Sequence, residues 1–179
     1  MSRSSQTQVA VLGALTVEPM TAYALREAIR DVLGHFWSES FGQIYPTLQA
    51  LEDEGHVRRQ EGARARSSVF VITPSGTARL IELLNEPVQE NPPRNGLLLR
   101  LFFGRVLGRE RCRELLRGAK NAAEAQRAEY EQLLAHLAVA EGDTPDWPYI
   151  RMTILAGIHH ARAAAAWADE CLDTLQGEP

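Results

Sequence analysis

What this 179-residue chain has little of limits it first. Its two cysteines, Cys112 and Cys171, are too few for a disulfide framework or a thiolate metal cluster. Each falls at an apolar helical position, where a buried free thiol is the expected reading. No stretch approaches the roughly 18 uncharged apolar residues of a membrane span. No apolar run of signal-peptide length follows the N-terminal MSRSSQTQ, so the expected location is cytoplasmic. An excess of positive charge is also missing. The formal net charge is −4, with 8 Lys+Arg against 9 Asp+Glu up to Leu84 and 11 against 14 beyond it. A nucleic-acid reading therefore needs local evidence. Histidine is sparse as well. His159 and His160 are neighbours that point to different sides of a helix, and His35, His56 and His136 are scattered. No metal site, no Ser–His–acid or Cys–His arrangement and no phosphate loop emerges, so neither a cofactor nor an enzyme is expected.

What is present is globular: 45% hydrophobic and 23% charged residues, enough for one ordinary domain or two small ones. Helical spacing of Val9, Leu12 and Leu15 predicts a first helix over 8–15. Thr21 is an N-cap candidate for a second, Ala22 to Leu33, with Leu25, Ala28, Ile29 and Val32 inward and Gly34 closing it in left-handed geometry. A third helix ends at Gly55. The period then changes from 3.6 to 2. His56–Gln60 and Ser68–Ile72 read as a hairpin around the polar tip EGARARS, and Thr73-Pro74 opens a helix to about Leu84. Helix, helix, helix, strand, strand, helix is the order of a winged helix-turn-helix.

The stretch from Asn85 to Gly96, NEPVQENPPRNG, is the expected linker. Beyond it every pattern is helical: LLLRLFFG over 97–104, a long helix over 109–137, and a last one capped by Asp146 and reaching about Leu175. The expected organisation is thus a DNA-binding domain over 1–84, a linker over 85–96 and a helical dimerisation or effector domain over 97–179, mainly α with a small β contribution. Both long helices carry seams in alternating steps of four and three. The first includes Cys112, Leu116, Ala119, Ala123, Tyr130 and Leu133. The second includes Ile154, Ile158, Ala161, Ala165, Ala168 and Leu172. Each seam fits packing within the chain and packing against a second copy equally well. Two helices alone cannot close a core, so a homodimer is expected, with Leu116, Tyr130, Leu133, Ile154, Ile158, Ala161, Ala165 and Leu172 as candidate contacts.

The third helix carries the chemistry. ESFGQIYPTLQALEDEG places Gly42 and Pro46, both unfavourable in a helix interior, beside Ser40, Gln43, Tyr45 and Thr47. In a helix-turn-helix this segment lies in the major groove. Gly42 then permits close backbone approach. Ser40 and Gln43 form a capping box. Pro46 fixes φ and removes an early hydrogen bond. Ser40, Gln43 and Thr47 share one face, with amide and hydroxyl groups suited to base edges or phosphates, Gln most naturally to adenine. Taken alone this face fits plain solvation; the Gly-Tyr-Pro punctuation favours use. Glu52, Asp53 and Glu54 keep the helix's far end away from phosphate. Positive charge comes from Arg58, Arg59, Arg64 and Arg66, with Arg64 and Arg66 at the hairpin tip, where a wing meets the backbone or minor groove. Tyr23 and Tyr45 offer hydroxyls to phosphate while their rings pack in the core. The same residues also fit a winged helix that binds another protein without DNA.

MTAYALREAI, LGHFWSESFGQIYPTLQALEDEGHV, the arginine-bearing hairpin and ITPSGTARL together resemble the PadR family of transcriptional regulators. LLLRLFFG and WPYIRMTILAGIHHARAAAAWADECL resemble the C-terminal helical domain of its longer, Vir-like members. Where the family usually has His-Gly-Tyr, this chain has Thr21-Ala22-Tyr23 and keeps the tyrosine. The resemblance implies a homodimeric repressor on palindromic double-stranded operator DNA, its C-terminal helices forming most of the dimer contact. Some members release DNA when a small aromatic or cationic effector binds between the domains or at the dimer interface. Aromatics available to line such a site are Phe36, Trp37, Phe102, Phe103, Trp147, Tyr149 and Trp167, all of which also fit ordinary core.

Overall fold

A computed structural model describes residues 3–37, 41–61, 68–88, 95–142 and 144–175. Ser40, Arg64 and Arg66 lie outside the described residues, as does the middle of the expected linker. The chain divides into two compact units, Met1–Asn91 and Pro92–Pro179.

In the first unit, α1 (Arg3–Val17) precedes α2 (Ala22–Ala28), which runs on as a wider π turn over Ile29–Leu33. Then come α3 (Phe41–Asp53), β1 (Val57–Glu61), β2 (Ser68–Ile72) and α4 (Pro74–Leu84). Thr21 caps α2 by accepting from the Ala24 N–H at 3.1 Å, and Thr73 caps α4 by accepting from Gly76 N–H at 3.0 Å, with Pro74 at its start. Gly55 ends the turn after α3 at φ +76°, the left-handed geometry glycine permits.

Hairpin register pairs Val57 with Ile72 and Arg59 with Phe70. Phe70 also exchanges two main-chain hydrogen bonds with Met20 (2.7 and 3.2 Å), tying the hairpin to the connection between α1 and α2. The core joins Leu12 and Leu15 of α1, Leu25 and Ile29 of α2, Ile44, Leu48 and Leu51 of α3, Val57, Phe70 and Leu83. A fully buried leucine contributes roughly 1.5–3 kcal/mol, so this common core fixes α3 and the hairpin on one scaffold.

Three sequence expectations need correction here. Gly34 is right-handed (φ −58°, ψ −18°). The chain does not reverse there, and a Cβ at Gly34 would overlap the Arg30 carbonyl. The glycine thus serves close approach in the π turn, not a positive φ. Val32 is 61% exposed, because the wider turn rotates it off the face that buries Leu25 and Ile29. Asp146 has helical φ and ψ and makes no capping bond. A turn already begins at Thr144, whose carbonyl accepts from the Trp147 N–H at 3.2 Å.

In the second unit the predicted LLLRLFFG helix is two pieces, α5 (Gly96–Phe102) and α6 (Gly104–Leu107). Gly108, at φ +93°, turns the chain into α7 (Arg109–Glu141), which packs antiparallel on α8 (Trp147–Thr174). Lys120 Nζ meets Asp169 at 2.7 Å, and Tyr130 packs with Ile154 and Ile158. The two seams therefore face each other within the chain. Leu116, Tyr130, Ile154, Ile158 and Ala161 are buried there, and Leu133, Ala165 and Leu172 are half-buried. Cys112 is buried and Cys171 half-buried, both free. Among the described residues, no helix is long and apolar enough to cross a membrane.

Candidate nucleic-acid interface

The third helix divides cleanly. Ile44, Leu48 and Leu51 are 0–3% exposed and anchor α3 to the core. On the other side Gly42, Gln43, Tyr45 and Pro46 are exposed and Thr47 is half-buried. Because the helix begins at Phe41, Pro46 sits in its second turn, later than the sequence suggested. With no N–H, it leaves the Gly42 carbonyl without its usual partner four residues on, at the solvent-facing surface. An external hydrogen-bond donor can take that acceptor. Tyr23, in the first turn of α2, is 68% exposed and Tyr45 is 62% exposed. Neither ring is core, so both are free to present ring and hydroxyl outward.

One of the four hairpin arginines does something the sequence did not reveal. Arg59 Nε donates to Glu52 Oε2 at 2.8 Å and its Nη2 to Gln49 Oε1 at 3.1 Å. Its guanidinium lies 5.2 Å from the centre of the Phe70 ring. The available signal was period 2: Arg59 shares the inward side of β1 with buried Val57, whereas Arg58 points the other way and is exposed. The positive charge of the wing therefore falls to Arg58 among the described residues and to Arg64 and Arg66 beyond them.

The aromatic candidates separate into groups. Phe36 and Trp37 line a groove of about 480 Å³ between α1 and α2, with Val9, Gly13, Ile29 and Val32. Trp37 Nε1 is buried there without a hydrogen-bond partner among the described residues. Phe102 and Phe103 stand edge to face at 5.2 Å on the second unit. Trp147 and Tyr149 begin α8, while Trp167 lies on the order of 30 Å further along it at 1.5 Å per residue. A second cavity, about 550 Å³, lies between α6, the start of α7 and the end of α8. Arg105, Arg109, Cys112 and Cys171 are in its wall.

An outward polar face on an apolar-anchored third helix, beside a two-stranded wing, defines a winged-helix DNA-binding regulator. Residues 11–82 match the transcriptional regulator PadR-like family, and residues 93–176 match the virulence activator alpha C-terminal domain. The chain belongs to the PadR-like family of transcriptional regulators. It is similar to the negative transcriptional regulator PadR of Bacillus subtilis, 24% identical over 172 residues and covering 91% of this chain and 93% of that one. Among solved structures it resembles the PadR-like regulator BC1756 of Bacillus cereus (TM-score 0.77, 25% identity, 95% of this chain and 98% of that one). It also shares its fold with B. subtilis PadR in complex with operator DNA (TM-score 0.80, 22% identity, 94% and 98% covered) and with p-coumaric acid (TM-score 0.77, 21% identity, 95% and 98% covered).

Proposed function

We propose that this chain is a cytoplasmic repressor that binds operator DNA as a homodimer and leaves it when a small molecule binds. The observation that carries the reading is the split of α3: three apolar side chains at 0–3% exposure fix it, and Gly42, Gln43, Tyr45 and Pro46 are left outside. Ser40, Gln43 and Thr47 read base edges, Gly42 and Pro46 let the backbone come close, and Tyr23 and Tyr45 donate to phosphate. Arg64 and Arg66 supply sequence-independent affinity at the wing tip.

A second copy extends the α7–α8 pair. The seam side chains are largely occupied within the chain, so its contact falls on half-buried Leu133, Ala165 and Leu172 and on apolar groups the single chain leaves open. Phe102 (83% exposed), Val106 (90%) and Met152 (57%) are such groups. The Phe36–Trp37 groove is the effector site this unit offers, with apolar walls for a ring and the indole N–H for one acceptor. The B. subtilis relative was solved with p-coumaric acid, a small aromatic acid of that kind.

The test is binding of the full chain to duplex DNA from upstream of its own gene, in excess non-specific competitor. A complex that survives competitor and weakens steeply with salt supports the reading. Absence of any complex returns the chain to the protein-interaction alternative.

A further inference from the structure

The structure assigns Arg59 a role that its place in a basic wing conceals: it is the strut that sets the angle between wing and recognition helix, and it makes no phosphate contact. The inference rests on the DNA-binding reading above and adds a specificity-determining residue to it.

The guanidinium is committed on every side. Its Nε and Nη2 donate to two side chains one turn apart on α3, Glu52 at 2.8 Å and Gln49 at 3.1 Å. Its cation lies 5.2 Å from the centre of the Phe70 ring, the cross-strand neighbour on β2. Gln49 is itself held by donating to Asp53 Oδ1 at 3.0 Å. Phe70 is 4% exposed and its main chain is bonded to Met20. One planar fork therefore joins the rigid base of the wing to the second half of α3. Arg geometry suits this task, and a lysine could serve only one of the three partners.

Charge points the same way. The end of α3 carries Glu52, Asp53 and Glu54, which would repel phosphate. Pairing Glu52 with Arg59 cancels one of those charges within the protein, so the Arg59 charge is not left over for DNA. An exposed pair of this kind adds little to folding stability, about 0–1 kcal/mol, so its use is geometric. If the angle between α3 and the wing relaxes, Gln43 and the wing tip no longer meet one duplex in register.

The experiment measures anisotropy of the full-length protein on two duplexes, over about 50–200 mM salt. One is an operator selected by the wild-type protein from a random pool, and the other is its scrambled version. Arg59→Ala should cut the operator-to-scrambled affinity ratio about tenfold, the scale of one lost base contact. The slope of log affinity against log salt should stay at the wild-type value. Arg59→Lys, which keeps the charge and serves if the Ala variant fails to fold, should lose most of the ratio too. Glu52→Ala should reproduce the loss, and the double variant should lose no more than either single one.

A slope reduced by about one unit with equal loss on both duplexes makes Arg59 a phosphate contact and overturns the inference. So does an unchanged ratio in all three variants, or full rescue by lysine. Selection that yields no preferred duplex for the wild type instead sinks the DNA reading itself, and the inference falls with it.

Discussion

Gly157 of α8 lies directly beneath the ring of Tyr130 on α7: a Cβ on the glycine would stand 2.6 Å from the ring's Cε2 and Cζ. Tyr130 is only 9% exposed and packs with Ile154 and Ile158, so the ring has little room to swing away. Gly157→Ala should therefore destabilise the helical unit. Overpacking costs typically about 1–3 kcal/mol, partly offset by roughly 0.8–1 kcal/mol of helix propensity. A lowered melting temperature that Tyr130→Leu restores in the double variant checks this. A stabilised single variant would show that α7 and α8 separate freely.

Gly76 in the first turn of α4 makes a harder contact. A Cβ there would overlap the backbone carbonyl of His56 at the base of the wing. That carbonyl already accepts hydrogen bonds from the Thr73 N–H and hydroxyl, both at 3.0 Å. Gly76→Ala should thus cost more stability than Gly157→Ala and should weaken DNA binding through displacement of the wing. Chemical denaturation of the two variants side by side is the check, and a larger loss at Gly157 would contradict it.

Acid should loosen the first unit through His35. Burial lowers its pKa below the usual 6.5, opposed by a hydrogen bond to the Val32 backbone. The folded state thus holds its proton less readily than the unfolded chain. The stability tied to neutral His35 is present above about pH 6.5 and is lost as pH falls through the folded-state pKa. Melting temperatures from about pH 7.5 down to 5 should fall more steeply for wild type than for His35→Gln. Parallel curves would remove His35 from the account.

Much of the architecture could be read from local chemistry. Thr21 and Thr73 announced two helix starts because a hydroxyl before an apolar period has one main use, and Gly55 sits at positive φ as a residue closing a helix should. Gly34 misled because glycine answers two needs, handedness and closeness, and the π turn over Ile29–Leu33 that demanded closeness leaves no sequence period of its own. Arg59 looked like its neighbours because sequence shows charge but not its partner. Only the register placing it opposite Phe70 and beside Glu52 withdraws it from the DNA-facing set. The aromatic candidates failed to gather for a simpler reason, since helix rise alone keeps Trp147 and Trp167 far apart.

Arg66 belongs to the wing tip, where charge meets the sugar-phosphate edge. Arg66→Ala should weaken every duplex alike and flatten the log–log salt dependence by about one unit. Affinity titrations at several salt concentrations measure this. An unchanged slope takes Arg66 out of the phosphate contacts.

The claim beneath all of these is that the exposed face of α3 reads bases. Its most direct test compares Gln43→Ala with wild type on the selected operator and on random duplex. The account predicts a loss of roughly 1–3 kcal/mol on the operator and almost none on random DNA. Equal losses on both, or none on either, would contradict it.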